Sequence, residues 1–393
     1  MDNKKTLEAR TFSWRYYINY IVIALIAIIF TALTFAGALP QSTLFLLEKI
    51  VMNIILAVSL SLVVGFLGEL SLGHAGFMCI GAYFGGFVAV LFDTFTSLKG
   101  VGILPFILAL VVGAVVSGAF GFLIGLPALR LKGDYLAIVT LAFGEIVKTV
   151  FENISLTISE KEIISGPMGI RTPRLDKQYL FVIGFILVLV TMAIIQNLIR
   201  SKHGRAITAI RDNEIAAKAT GINVTKYKLV GFIISAAFAG VAGVLYSYAN
   251  NTVSASIFDY NYSIEILVMV VLGGMASING VIISATVITY LNIQLQTILT
   301  GELAVLKDII YSLILILIII YNNAPALKNI REKYNLKRVV DAVRAKIFHT
   351  NHYADDDDAW SKIPTKIEMN EILSTDVIVN ESTKNPDKWE GEK

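Results

Sequence analysis

Glu69 and His74 lie close together in the stretch GELSLGHAGFMCIGAY, from Gly68 to Tyr83, with Ser71, Gly73 and Gly76 beside them. A carboxylate and an imidazole at such spacing suit acid–base work or proton relay. The signatures that normally accompany such chemistry are missing: there is no HExxH, no GxSxG and no nucleophile at motif spacing. The single cysteine, Cys79, excludes an internal disulfide framework and a cysteine metal cluster. A non-catalytic role therefore remains. Either the two side chains line a polar path or support a broken helix, or they lie solvated at a membrane interface.

The elements that position them are apolar runs. A helix needs ~20 apolar residues to cross the hydrocarbon core. Ile18 to Leu39, Leu44 to Phe66, Ile103 to Leu126, Leu180 to Ile199, Leu229 to Tyr248 and Leu303 to Tyr321 all have that character. Charged residues make up 16% of the chain, against about 25% in soluble proteins, so the fold class is an all-α polytopic membrane protein. The first run is too long for a signal-peptide core and is followed by further spans.

Lys and Arg mark the cytoplasmic ends of short loops. Four basic regions qualify: Lys4 to Arg15, Arg130 with Lys132, Arg200 to Lys228, and Lys328 onward. Both termini are then cytoplasmic, and the number of crossings is even. Parity is met if residues 262–293 break at Gly273, Gly274, Ser277, Asn279 and Gly280 into two short crossings or half-helices. The expected total is about ten, within a range of eight to ten. The domains expected are a cytoplasmic segment 1–17, a transmembrane domain 18–321 and a cytoplasmic tail 322–393, with the loop 153–178 outside.

Backbone at membrane depth that leaves a helix must line a protein or water-filled cavity, and discontinuous helices mark transport sites. Two interruptions look alike: LGELSLGHAG (67–76) overlays LGGMASINGV (272–281). The residues expected at the path are Gly68, Glu69, Ser71, Gly73 and His74 in the first, and Gly273, Gly274, Ser277, Asn279 and Gly280 in the second. Glu145 is a further ionisable group near membrane depth. The small-residue pairs Gly81 with Gly85, Ser117 with Gly121, and Gly121 with Gly125 read as close helix packing within the bundle.

The loop SKHGRAITAIRDNEIAAKATGINVTKYK, 201–228, places Ile207, Ile210, Ile215, Ala219 and Ile222 at roughly helical spacing. Asp212 or Asn213 suits a helix cap, Glu214 suits the first turn, and Gly221 suits the end. A short amphipathic helix pair of this kind is a plain connector or a docking surface for a partner.

EIAAKATG, Glu214 to Gly221, resembles the EAA loop of ATP-binding-cassette import permeases. Together with GELSLGHAGFMCIGAY, LRLKGDYLAIVTLAFGEIVKTV, SGPMGI and VMVVLGGMASINGVIISA, in that family's order, it makes residues 45–321 similar to the branched-chain amino acid permeases, LivM-type. The resemblance implies a type II ABC importer-like permease in the cytoplasmic membrane of a prokaryote. It implies that Arg205, Arg211, Asp212, Glu214, Ala216, Ala217 and Gly221 form the ATPase-coupling loop. It implies two ATPase subunits, a paralogous permease subunit in a heterodimer, and an extracytoplasmic binding protein. No cofactor or metal is expected on this chain; ATP acts through the ATPases, and no GxxxxGK[ST] loop is present. Membrane lipid is an expected partner and nucleic acid is not. The expected cargo is leucine, isoleucine and valine. The same architecture also suits urea, other amino acids, sugars or nucleosides. An ion-coupled secondary transporter is the reading from a different class, disfavoured by the coupling loop.

The tail departs from such permeases. Ala326 to Phe348 is helix-like with an apolar side and basic residues elsewhere. It suits anionic lipid, an ATPase surface or solvent. ADDDDAW and the polar residues after it read as disordered.

Overall fold

The computed structural model describes residues 18–95, 103–131, 133–158, 161–173, 175 and 177–299, with 309–313, 316, 317 and 320 beyond them. All belong to the first of the chain's two units, Met1–Asn322. The expectations for residues 1–17, for most of the 303–321 span and for the 322–393 tail lie outside the described residues.

Eleven α-helices follow one another among the described residues: α1 (Ile18–Phe35), α2 (Gln41–Ser61), α3 (His74–Phe95), α4 (Ile103–Ala128), α5 (Asp134–Asn153), α6 (Lys177–Arg200), α7 (Lys202–Asp212), α8 (Glu214–Ala219), α9 (Val224–Ala249), α10 (Tyr260–Gly273) and α11 (Ile278–Ile298). Among the described residues six segments are long and apolar enough to cross a membrane: Gln41–Leu67, His74–Phe92, Leu104–Ala128, Tyr179–Arg200, Val224–Ala249 and Ile278–Ile298. Two shorter apolar helices, Ile23–Phe35 and Tyr260–Gly273, join them. The segment 262–293 does divide, at Gly274 to Ser277, into α10 and α11.

The core sits around α2, whose mainly apolar stretch from Ile50 to Ser61 is buried on all sides, as expected of a central helix. Ile55, Leu56 and Leu60 are fully enclosed. Helices α6, α9, α10 and α11 surround it. At the periphery Leu25, Ile28, Val111, Val115, Ile138, Ile146, Ile283 and Val287 face outward. In lipid such faces meet hydrocarbon rather than water and incur no hydrophobic cost.

Helices α3, α4 and α9 pack closest. A Cβ on Gly243 would lie 2.0 Å from the Met78 carbonyl oxygen. One on Gly81 would lie 2.2 Å from that of Gly240, and Gly240 itself meets Ser117. Gly121 meets Ala236 and Gly85 meets Val244. These small residues therefore bring helices of one chain together.

A small sheet is the addition that an all-helical reading omits. Strands β1 (Ser155–Ile158), β2 (Lys161–Ser165), β3 (Ile170–Arg171) and β4 (Thr252–Val253) form an antiparallel sheet in that order. Leu156 pairs with Ile164, Ile164 with Ile170, and Ile170 with Val253. The aligned Ile164, Ile170 and Val253 are buried. Strands of two to five residues are too short to show a period of two in the sequence. The sheet lies at the end of α9 opposite the 200–228 loop, ~39 Å away at 1.5 Å per residue.

Candidate functional site

The 200–228 loop is rigid by local chemistry. Ser201 Oγ accepts from the backbone of His203 and Gly204 at 3.1 and 3.3 Å and starts α7. Asn213, not Asp212, caps α8: its Oδ1 accepts from Ile215 and Ala216, both at 3.0 Å. Gly221, at φ +83°, ends it. The Gly221 N–H then bonds Lys218 O and the Ile222 N–H bonds Ala217 O, a Schellman closure. Ile222 packs with Ile210, Ala217 and Val224 beneath the helix. Ile215 is 80% exposed on the other face.

Two bonds tie this loop to the first helix break. Beyond α2 the chain widens into a π-helical turn, Leu62–Leu67, and Gly68 turns left-handed at φ +78°. Arg211 Nη1 donates to Gly65 O at 3.2 Å, while its Nε and Nη2 hold Asp212. A Cβ on Gly68 would come within 2.7 Å of Arg211 Cγ, so glycine serves both the backbone angle and the approach of the arginine. The second tie is ionic. Lys228, in the first turns of α9, donates to Glu69 and to Glu214 Oε2; Lys218 donates to Glu214 Oε1 at 2.7 Å. Lys228 is 4% exposed.

The same turn touches the second break. A Cβ on Gly65 would lie 2.7 Å from the backbone nitrogen of Ala276, which is itself left-handed at φ 71°. Around it Gly274 N bonds Val271 O, Ser277 N bonds Gly274 O, and Ser277 Oγ accepts from Gly280 N at 3.2 Å. Gly273 and Gly280 pack backbone to backbone. The two interruptions that look alike in sequence thus meet at one end of the bundle.

His74 goes elsewhere. It is buried at the start of α3 with its Nε2 2.8 Å from Ser59 Oγ. Ser59 spends its one hydroxyl proton on Leu56 O, so the imidazole Nε2 is the donor. Gly73 abuts Thr140 O, Leu72 N bonds Thr140 Oγ1, and Ser71 is buried. Glu145 accepts from the N–H of Tyr260 at the start of α10. Arg205, Ala216 and Asn279 are exposed and Ala217 is buried. Glu69, Gly68, Arg211, Asp212 and Glu214 come together; His74, Glu145, Arg205 and Asn279 stay apart from them.

In the sequence Lys228 and Lys218 read only as loop charge, Ile215 only as part of an apolar helical stripe, and nothing marks Gly65 or Ala276. A lysine abutting an apolar run needs a partner, and Glu69 at the end of another run was its match in sign and depth. The hydrogen bond from Lys218, with a further one from Lys228, holds the Glu214 carboxyl down to about 2 despite partial burial. A carboxyl depressed this way stabilises the fold fully above its ordinary value of 4.5, and that stability is lost as pH falls towards the folded value. The melting-temperature gap between wild type and Glu214→Gln should therefore be flat from about pH 8 to 5 and close below that. Thermal unfolding across that range checks it.

A many-helix membrane bundle, with an ordered loop bonded to one interrupted helix that packs on a second, has the build of a transport permease. Residues 42–319 match the family described as branched-chain amino acid transport system / permease component, and the chain belongs to that family. It is 35% identical over 296 residues to the high-affinity branched-chain amino acid transport system permease protein LivM of Salmonella typhimurium, across 67% of this chain and 66% of that protein. The Escherichia coli LivM is 36% identical over 293 residues, 66% and 65% of the two chains. A probable branched-chain amino acid transport permease protein LivH of Methanocaldococcus jannaschii is 31% identical over 223 residues, 53% and 66%. The chain thus spans just under two thirds of the length of these curated relatives. No solved structure matches it.

Proposed function

We propose that this chain is a permease subunit of an ATP-driven importer carrying branched-chain amino acids across the cytoplasmic membrane. Two separate ATPase subunits bind and hydrolyse ATP, a paralogous permease completes the pathway, and an extracytoplasmic binding protein delivers the cargo. Both termini lie in the cytoplasm. The observation that carries the reading is the bond set from the 200–228 loop to the first break, through Arg211 to Gly65 O and through Lys228 to Glu69.

The residues divide the work. Ile215, Ala216 and the rest of the exposed face of α8 dock on the ATPase. Asn213, Gly221 and the Schellman closure keep α8 stiff, so a push moves it as a body. Lys228 passes the displacement to Glu69 and the 68–73 segment, and Arg211 passes it to Gly65. Through the Gly65–Ala276 contact it reaches the second break. Motion of these breaks, Gly68 to His74 and Gly273 to Gly280, switches access to the path. This chain performs no bond chemistry.

Cells lacking the chain should lose uptake of labelled leucine and regain it on re-expression, with ATP depletion abolishing the gain. Restored uptake of urea or a nucleoside without leucine would replace the cargo. Uptake that survives ATP depletion and collapses with the proton gradient would overturn the ATP-driven reading.

A further inference from the structure

At the end of the bundle away from the 200–228 loop lies a second charged cluster. Lys49 enters from α2, about 24 Å along the helix axis from Gly65 at 1.5 Å per residue. Its Nζ lies 4.7 Å from the Tyr246 ring centroid and 5.7 Å from that of Phe45. Among the described residues this ammonium donates no hydrogen bond, and of the carboxylates Glu265 acts on it most. Glu265, on α10, is half-satisfied. Its Oε1 accepts from Asn292 Nδ2 at 2.7 Å and from Tyr311 Oη at 3.4 Å, while Oε2 accepts from none of the described residues.

The neutral groups beside the pair are satisfied. Tyr262 Oη donates to Asn53 Oδ1 and Asn53 Nδ2 donates to Thr289 Oγ1, each at 2.8 Å. This frame fixes α2, α10 and α11 around two opposite charges with no direct bond between them. Charges inside a membrane bundle are costly unless each finds a partner. A molecule carrying one charge of each sign supplies both partners at once.

We propose that Lys49 and Glu265 bind the two charged ends of a zwitterionic amino acid on its way through the bundle. Lys49 takes the carboxylate and Glu265 Oε2 takes the ammonium. The proposal rests on the importer reading and narrows its cargo, since urea, a sugar or a nucleoside offers no such pair of charges.

The test uses the assembled transporter, with its ATPases and binding protein, in proteoliposomes. Glu265→Gln keeps an oxygen for Asn292 and Tyr311 and removes the charge; Lys49→Met keeps the stem and removes the charge; Lys49→Arg keeps the charge. Leucine uptake below saturation should fall at least tenfold in the first two and stay within about threefold in the third. ATP hydrolysis and melting temperature should remain near wild type in all three. Wild-type uptake rates per folded complex in Glu265→Gln and Lys49→Met would overturn the site, including the case where melting temperature alone falls. A wild-type complex that carries no amino acid at all would overturn the importer reading and this site with it.

Discussion

Lys228→Met should lower the unfolding free energy by about 3–5 kcal/mol, the usual cost of leaving a buried charge without its partner. Lys228 is almost wholly enclosed, and Glu69 is only 12% exposed at its side chain. Removing the lysine strands the Glu69 carboxylate, whereas Glu214 keeps Lys218. The double variant Glu69→Gln/Lys228→Met leaves no stranded charge, so it should recover most of the loss. Denaturant or thermal unfolding in detergent measures both. A single variant as stable as wild type would mean that the lysine is solvated and the ionic tie is absent.

Gly243→Val should give no folded protein. Any Cβ there meets the Met78 carbonyl oxygen at 2.0 Å and the Ala82 nitrogen at 2.7 Å. Both are backbone atoms of α3, so neither can rotate away. Relief requires α3 and α9 to separate, which also opens the Gly81–Gly240 contact. Overpacking costs ~1–3 kcal/mol where side chains can yield, and more where they cannot. Gly231→Ala, on the same helix, is the control: its nearest neighbour is Leu67 Cδ2 at 3.9 Å. It should express and melt like wild type. Size-exclusion profiles of the purified variants separate the two cases. A monodisperse Gly243→Val would show that the α3–α9 spacing is adjustable.

Much of this fold was legible because the bilayer imposes it. Apolar length marked α2, α4, α6 and α9, and Gly273 to Gly280 marked the division between α10 and α11. Asn213 and Gly221 marked the ends of α8 because caps are local chemistry. The junction was harder to read. Glu69 and Lys228 are separated by 159 positions, and nothing local in either segment names the other. Lys49 and Glu265 were hidden in another way: each sits inside a run already assigned to a span, so the charge was absorbed into the average. The sheet escaped because its pairing of Ile170 with Val253 joins two-residue strands from distant loops.

The most direct test of the account is leucine uptake per ATP hydrolysed, in proteoliposomes, for Glu69→Gln/Lys228→Met beside wild type. The double variant keeps its fold and helix α8 but loses the ionic tie to the first break. The predicted result is ATP hydrolysis within about twofold of wild type with leucine uptake down at least tenfold. An unchanged ratio of uptake to hydrolysis would contradict the claim that this tie carries the stroke.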